Sequence, residues 1–296
     1  MGAPTLEEQR RFAAGRLQAA GLPVAELLGA AQIGARLVID AQGASQLGGR
    51  PSMPAGWSWP EWNARPLQYL ARIDLEELSN VLSESERHGL PATGRLHLMA
   101  DFLGDAWGYD PSHRGSFSAA IVQHEPTVDH ETPMGIEAHG YCIELELPIR
   151  RVTPVAELVL PDPIEGLSSS WVRDLLDDEQ FDAYCWRVRE EIDTELFGSA
   201  PRHRLFGAPD VIQNPMELEC QLASNGVYVG TPENYTTPRA KQLAAGASDW
   251  CLLAQIDSDE DLGLMWGDVG CIYWWLRHQD ASAGRVDRCW GILQCS

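Results

Sequence analysis

The sequence predicts an α+β fold: mainly antiparallel sheet built from two related halves, with peripheral helices and a long helical insert. Three observations carry this reading. Short segments with apolar residues at every second position recur along the chain, the period of a half-buried strand. One such segment is repeated: "LARIDLEE" (70–77) returns as "LAQIDSDE" (253–260), an offset of 183 residues (257 − 74). A Gly and a further alternating strand follow each copy, "TGRLHLM" (93–99) and "VGCIYWW" (269–275). Finally, one long stretch, 168–198, keeps helical spacing, with Phe181, Tyr184, Val188, Ile192 and Leu196 at three- and four-residue steps and Gly198 as its stop.

The elements follow in order. Thr5-Leu-Glu-Glu8 is a capping box that opens a helix carrying Leu6, Phe12, Ala13 and Leu17, stopped by Gly21 and Pro23. A second short helix runs from about Val24 to Ala31, and Leu37 to Ile39 forms a strand. Residues 43–66 hold four Pro and four Gly, which exclude a regular helix, and three Trp within six residues, which exclude a loose linker. An ordered loop wrapped over the body is expected there. Strands follow at 67–73, 94–102, 116–125 and 139–152, with a helix at 75–87. The domain organisation expected is a helical N-terminal extension, 1–40, and one α+β domain, 41–296. Its halves lie at about 41–150 and 200–296, with a helical bridge at about 165–198.

Composition bounds the function. At 296 residues, 44% hydrophobic and 22% charged, the chain reads as globular. No apolar run reaches the ~18 residues a membrane span needs, and the N-terminus has acids and no apolar core of a signal peptide. A cytoplasmic protein without membrane contact is expected. Seven Cys, an odd count with no C-x-x-C, fit neither a disulfide framework nor a zinc ribbon. Forty-three acids against 22 bases give −21. Such a surface repels phosphate backbones and acidic substrates, and favours a basic protein partner or a cation.

Candidate sites weigh as follows. Asp257, Asp259 and Asp261 stand at positions 1, 3 and 5 of a loop with Asp268 at position 12, the ligand spacing of an EF-hand. Leu262 occupies the position that needs Gly, Asp268 is short for a bidentate ligand, and the preceding segment is a strand. The loop therefore reads as an acidic turn whose Trp266 packs on the core. "QHEPTVDHE" (123–131) collects His124, Glu125, Asp129, His130 and Glu131, but Pro126 blocks the helix a metal-binding His pair needs. "HRLFGAPDVIQ" (203–213) offers His203 and Gln213 around a Gly207–Pro209 turn, without a nucleophile signature. "QLGGRP" (46–51) is no phosphate loop, and Cys251 and Cys271, in an acidic setting, read as structural.

Several blocks, in order, resemble the YwqG-like family of bacterial proteins, a domain of unknown function: "LGGRPSMPAGWSWP", "PLQYLARIDLEEL" with Arg72 where Gln is usual, "GLPATGRLHLMADF", "HRLFGAPDVIQNPMELECQLA", "LLAQIDSDEDLGLMWGDVGCIYWWL" and the terminal "WGILQCS". The resemblance covers about 45–296. It implies an α+β fold rich in antiparallel strands and no established reaction. Some members stand among immunity proteins beside bacterial toxins. The expectation is a non-catalytic protein-binding module that meets a basic toxin domain. The alternative is an enzyme, or a small-ligand or cation-binding protein, with its site between the halves. The candidate rim or cleft is Arg72, Asp74, His203, Gln213, Gln255, Asp257, Asp259, Asp261, Trp266 and Asp268. No catalytic residue is assigned, and no cofactor or metal is expected.

Overall fold

A computed structural model describes residues 3–103, 105–123, 126–133, 136–138, 141–143, 146–163 and 170–296. His124, Glu125 and the first residues of the 168–198 stretch lie outside them. Ten strands form the main sheet: β1 (Gln32–Ile39), β2 (Ser45–Leu47), β3 (Gln68–Asp74), β4 (Arg95–Ala100), β5 (Phe117–Val122), β6 (Arg150–Val159), β7 (Arg204–Phe206), β8 (Trp250–Asp257), β9 (Cys271–Arg277) and β10 (Trp290–Gln294). Their spatial order is β10-β9-β8-β7-β1-β6-β2-β3-β4-β5, with every neighbour antiparallel. The α+β class and the antiparallel sheet are as the sequence predicts.

Exchanging β1–β5 for β6–β10 reverses this order onto itself, so a pseudo-twofold axis passes between β1 and β6. The repeated peptides obey it. The β3–β4 register shifts between Tyr69 and Ala71, and the β8–β9 register shifts between Leu252 and Ala254, 183 residues later. Leu47 and Leu205 hold equivalent places, opposite Ala71 and Ala254. Each is followed by two left-handed residues: Gly48 and Gly49 at φ 65° and 74°, Phe206 and Gly207 at 58° and 70°. A left-handed Phe costs about 1–2 kcal/mol. Burial of the Phe206 ring, 1% exposed, returns about as much.

The central strands are exchanged between the halves. β1 pairs with β6 over eight residues and with β7, both from the second half, while β6 pairs with β2 of the first. β1 thus lies at the centre of the sheet although its residues fall in the stretch read as an N-terminal extension. The sheet curls until its edges nearly meet. Phe117 of β5 lies over Gly291 of β10, where an added Cβ would stand 1.9 Å from the ring, and edge-on to Trp274 at 5.2 Å.

Alternation sorts the side chains of β9. Ile272, Trp274 and Leu276 enter the enclosed core, while Cys271, Tyr273 and Trp275 face a second, outer cluster. Three coverings close the outer faces. The tryptophan loop covers β3 and β4, with Trp59 donating to Leu67 O and Trp62 to Ser112 O. α1 (Leu6–Ala19) and α2 (Val24–Gly29) cover β6. Gln9 of α1 donates to Ala156 O and accepts from Leu158 N, and the predicted Thr5–Glu8 box is formed. α3 (Leu75–Val81) is shorter than its 75–87 expectation, because Leu82 is already extended.

The 168–198 stretch is not one helix. α4 (Ser170–Leu175) ends before Asp177, whose side chain caps α5 (Asp178–Ala183) and so starts a new helix. α5 continues through a wide turn at Tyr184–Val188 into α6 (Arg189–Phe197), which stops at Gly198 as expected. α7 (Glu217–Ser224) and α8 (Pro238–Leu243) cover the outer faces of β8–β10. α9 (His278–Ser282) follows β9.

The paired left-handed turns make a direct prediction. Gly49→Ala and Gly207→Ala should each lower stability in urea denaturation by about 1–2 kcal/mol. Gly15→Ala, mid-α1 with open space around it, should raise it by up to about 1 kcal/mol. Neutral results at both 49 and 207 would contradict the symmetry argument.

Candidate functional site

The structure gathers His203, Gln255, Asp257, Asp259, Asp261 and Trp266 at one end of β7 and β8. Arg72 and Asp74 occupy the pseudo-equivalent end of β3. Their roles are also equivalent. The Asp74 N–H donates to Ser45 Oγ at 3.0 Å, and the Asp257 N–H donates to His203 Nδ1 at 3.2 Å. Because Nδ1 accepts, His203 carries its proton on Nε2 and donates it to Asp259 Oδ2 at 3.2 Å. Ser45 likewise donates to Glu77. Asp74 caps α3 through the N–H groups of Glu76 and Glu77, and Arg72 donates to Ala44 O.

The acidic turn is committed to its own chain. Asp259, 4% exposed, accepts from the Asp261 and Leu262 N–H groups, and the His203 hydrogen bond holds its carboxyl below the usual range. Asp257 accepts from the N–H groups of Arg202 and Ser258. Asp261 pairs with Arg150 at 2.7 Å. Trp266 is buried and donates to Asp257 O. Asp268 is exposed. The EF-hand-like spacing therefore builds caps rather than a ring of convergent carboxylates.

Behind β7 lies a buried ionic network. Arg36 pairs with Glu157 and Asp193 at 3.0 and 2.9 Å. Arg204 pairs with Asp210, Arg202 with Asp193 and Glu190, and Arg189 with Asp162. It fastens α6 to the sheet centre, and the cavity it leaves is only about 50 Å³. Three flanking arginines hold the Asp210 carboxylate well below its ordinary pKa despite burial. Single arginine losses there would strand a buried charge.

Gln213 is carried elsewhere by a segment that crosses the outer face of the second half. One side chain from each strand holds it. Gln255 of β8 accepts from the Asp210 N–H at 3.0 Å. Tyr273 of β9 donates to Asp210 O at 2.5 Å. Gln294 of β10 accepts from the Ile212 and Gln213 N–H groups and donates to Asn214 O. Sequence reading found Gln213 and Gln255 but not Tyr273 or Gln294.

This segment, the start of α7, residues 229–235 and the Trp107–Tyr109 loop enclose a cleft of about 620 Å³. Such a volume suits a small molecule or an inserted side chain. Its walls include Trp107, Tyr109, Leu218, Val229, Pro232 and Ile292. The charged residues lining it, Glu217 and Glu219, are both acids. Tyr235 donates to Glu219 Oε2 at 3.4 Å. Burial outweighs that bond and pushes the Glu219 carboxyl up to about 7, so it changes charge near neutrality and can give or take a proton. Neither glutamate was a candidate from sequence.

A family model described as a domain of unknown function (DUF1963) matches residues 45–295, so the chain belongs to that family. No curated protein matches it. Among the described residues no helix is long and apolar enough to cross a membrane.

Glu219 gives a pH prediction. Between its ordinary value of 4.5 and about 7, the unfolded chain releases a proton that the folded one keeps, so stability falls as pH rises through that window. Glu219→Gln removes this loss. In urea denaturation the variant should match the parent near pH 4.5 and exceed it at pH 8, by about 1–2 kcal/mol after allowance for solvent screening. A pH-independent difference would contradict the assignment.

Proposed function

We propose that this member of the DUF1963 family is a binding protein whose site is the cleft between β10 and α7. The occupant is an apolar group carrying a cationic or hydrogen-bond-donating head, which Glu219 meets. The observation that carries this reading is the cleft itself: apolar walls around a carboxyl whose charge is set near neutral pH. The arrangement fits a primary amine or guanidinium on an aliphatic or aromatic body. The cleft removes water from the body, while ionised Glu219 strengthens its hold on the head in a low dielectric. An anionic head would meet two acids and be repelled.

A second reading keeps the protein-binding role. The resemblance to the YwqG-like proteins and the charge of −21 favour a basic partner, with toxin neutralisation as its sharpest form. The acidic turn at 257–261 is a poor anchor for such a partner, because its aspartates are bonded internally. An inserted Arg or Lys side chain of the partner in the cleft would join the two readings.

Two measurements test these readings. Calorimetry with an arylalkyl amine and its isosteric carboxylate should show binding of the amine alone. Affinity should rise from pH 6 to pH 8 as Glu219 ionises, and fall about tenfold in Glu219→Gln, the worth of one charge-assisted bond. Equal binding of both probes, or none, rejects the cleft as this site. For the second reading, pull-down with the product of the neighbouring gene should recover a basic protein at low salt and lose it at high salt. Salt-insensitive recovery or no recovery counts against it.

A further inference from the structure

His88, Cys251 and His278 come from three separate elements, yet their ligand atoms all lie within 4.8 Å of one another. Cys251 is the second residue of β8, paired in register with Leu276 of β9, which places it beside the first residue of α9, His278. His88 arrives from the other half, in the turn after α3, with a left-handed backbone at φ 50°. Its ring stands 4.9 Å from that of His278 and 5.5 Å from that of Phe206, so the strained Phe206 braces it. Ser282 of α9 donates to His88 O at 3.3 Å. Gly89 lets this turn approach closely, for a Cβ there would lie 3.1 Å from Ser282 Cα. Neither imidazole has a hydrogen-bond partner on its ring nitrogens among the described residues.

We propose that His88, Cys251 and His278 form a zinc(II) site that ties the turn after α3 in the first half to the β8–α9 region in the second. Two imidazoles and one thiolate are a borderline-soft set matched to zinc. A tetrahedral zinc with these ligands needs ligand atoms about 3.3–3.8 Å apart, so side-chain rotations of roughly an ångström close the site around the ion. His278 is exposed and His88 half-buried, which leaves both free to make that adjustment. The mouth beside them, lined by Ser83, Glu84, Ser85 and Ser282, is open to solvent, so water completes the coordination. Binding breaks the Cys251 S–H bond, forms the S–Zn bond and releases one proton to solvent, without change of oxidation state. Free of metal, Cys251 donates to Leu276 O and is a small buried hydrophobe. The metal replaces that weak bond with a cross-link of net charge +1, in a chain of charge −21.

The test uses the full chain stripped with chelator and titrated with cobalt(II), then zinc(II). One equivalent of cobalt should give a thiolate charge-transfer band and the visible bands of tetrahedral cobalt. Zinc should bleach both and raise the melting temperature. Cys251→Ser should abolish the charge-transfer band. His278→Gln, a surface change that keeps the fold, should weaken zinc binding at least tenfold, as loss of a ligand costs no less than loss of its outer support. Cys289→Ser, outside the cluster, should change nothing. Absence of the band, its persistence in Cys251→Ser, or parental zinc affinity in His278→Gln overturns the assignment.

Discussion

The exchange of β1 and β6 across the pseudo-twofold axis is the constraint on which the rest of the structure depends. Both hydrogen-bonded neighbours of β1 belong to the second half, and β6 is in turn the neighbour of β2 in the first. Neither set of five strands can complete its sheet alone. A lone first half would leave β1 without a partner, and unpaired strand edges are costly and prone to aggregate. The exchange also fixes where the sheet ends. Its two free edges, β5 and β10, fall at symmetric positions and curl together until Phe117 rests on Gly291. The enclosed core is thus shared by both halves.

Symmetry of backbone does not bring symmetry of chemistry. At equivalent places stand Ser45 and His203, Gly48 and Phe206, Arg72 and Gln255. The small polar pair Ser45–Glu77 and the larger pair His203–Asp259 satisfy the same strand-end N–H. The coverings differ more. On the first half, three tryptophans lie on β3 and β4 and fill the surface. On the second, α7, α8 and the segment before them stand over β8–β10 and leave a cleft between β10 and α7. The chemistry of the molecule has therefore gathered on one half. The same asymmetry lets a turn from the first half deliver His88 to thiol and imidazole groups of the second.

Charge is distributed with similar economy. Arg36 and Arg204 are almost wholly buried, each facing carboxylates, and the Arg36–Asp193 pair fastens α6 over the exchanged strands. A buried pair of this kind adds little net stability but is sensitive to loss of one partner, so its effect is to specify which helix docks where. The acids left outside give the surface its negative field. The cleft acids act at closer range, because burial and not bulk charge sets the proton affinity of Glu219.

The sequence alone determined the α+β class, the antiparallel strands, the capping box of α1, the Gly198 stop and the repeat at 183 residues. Each is local: a period of two, a cap three residues long, or a copied peptide is written in neighbouring residues. It also named His203 and Gln213 beside the Gly207–Pro209 turn, Gln255 in the repeated peptide, and the aspartates by their loop spacing. Tertiary structure alone decided what they do. The aspartates match an EF-hand spacing, yet nearby N–H groups and Arg150 reach them first, and no linear pattern encodes that competition. The break at Asp177 rests on a cap outcompeting continuing helical periodicity. Glu219 looks like any helix-start acid until Tyr235 and the cleft walls close over it. His88, Cys251 and His278 are far apart in the chain, and only the pairing of β8 with β9 and the bracing of the turn after α3 bring them together. Distance in sequence hides such sites, since proximity in them is created by sheet register and helix docking, which depend on the whole core at once.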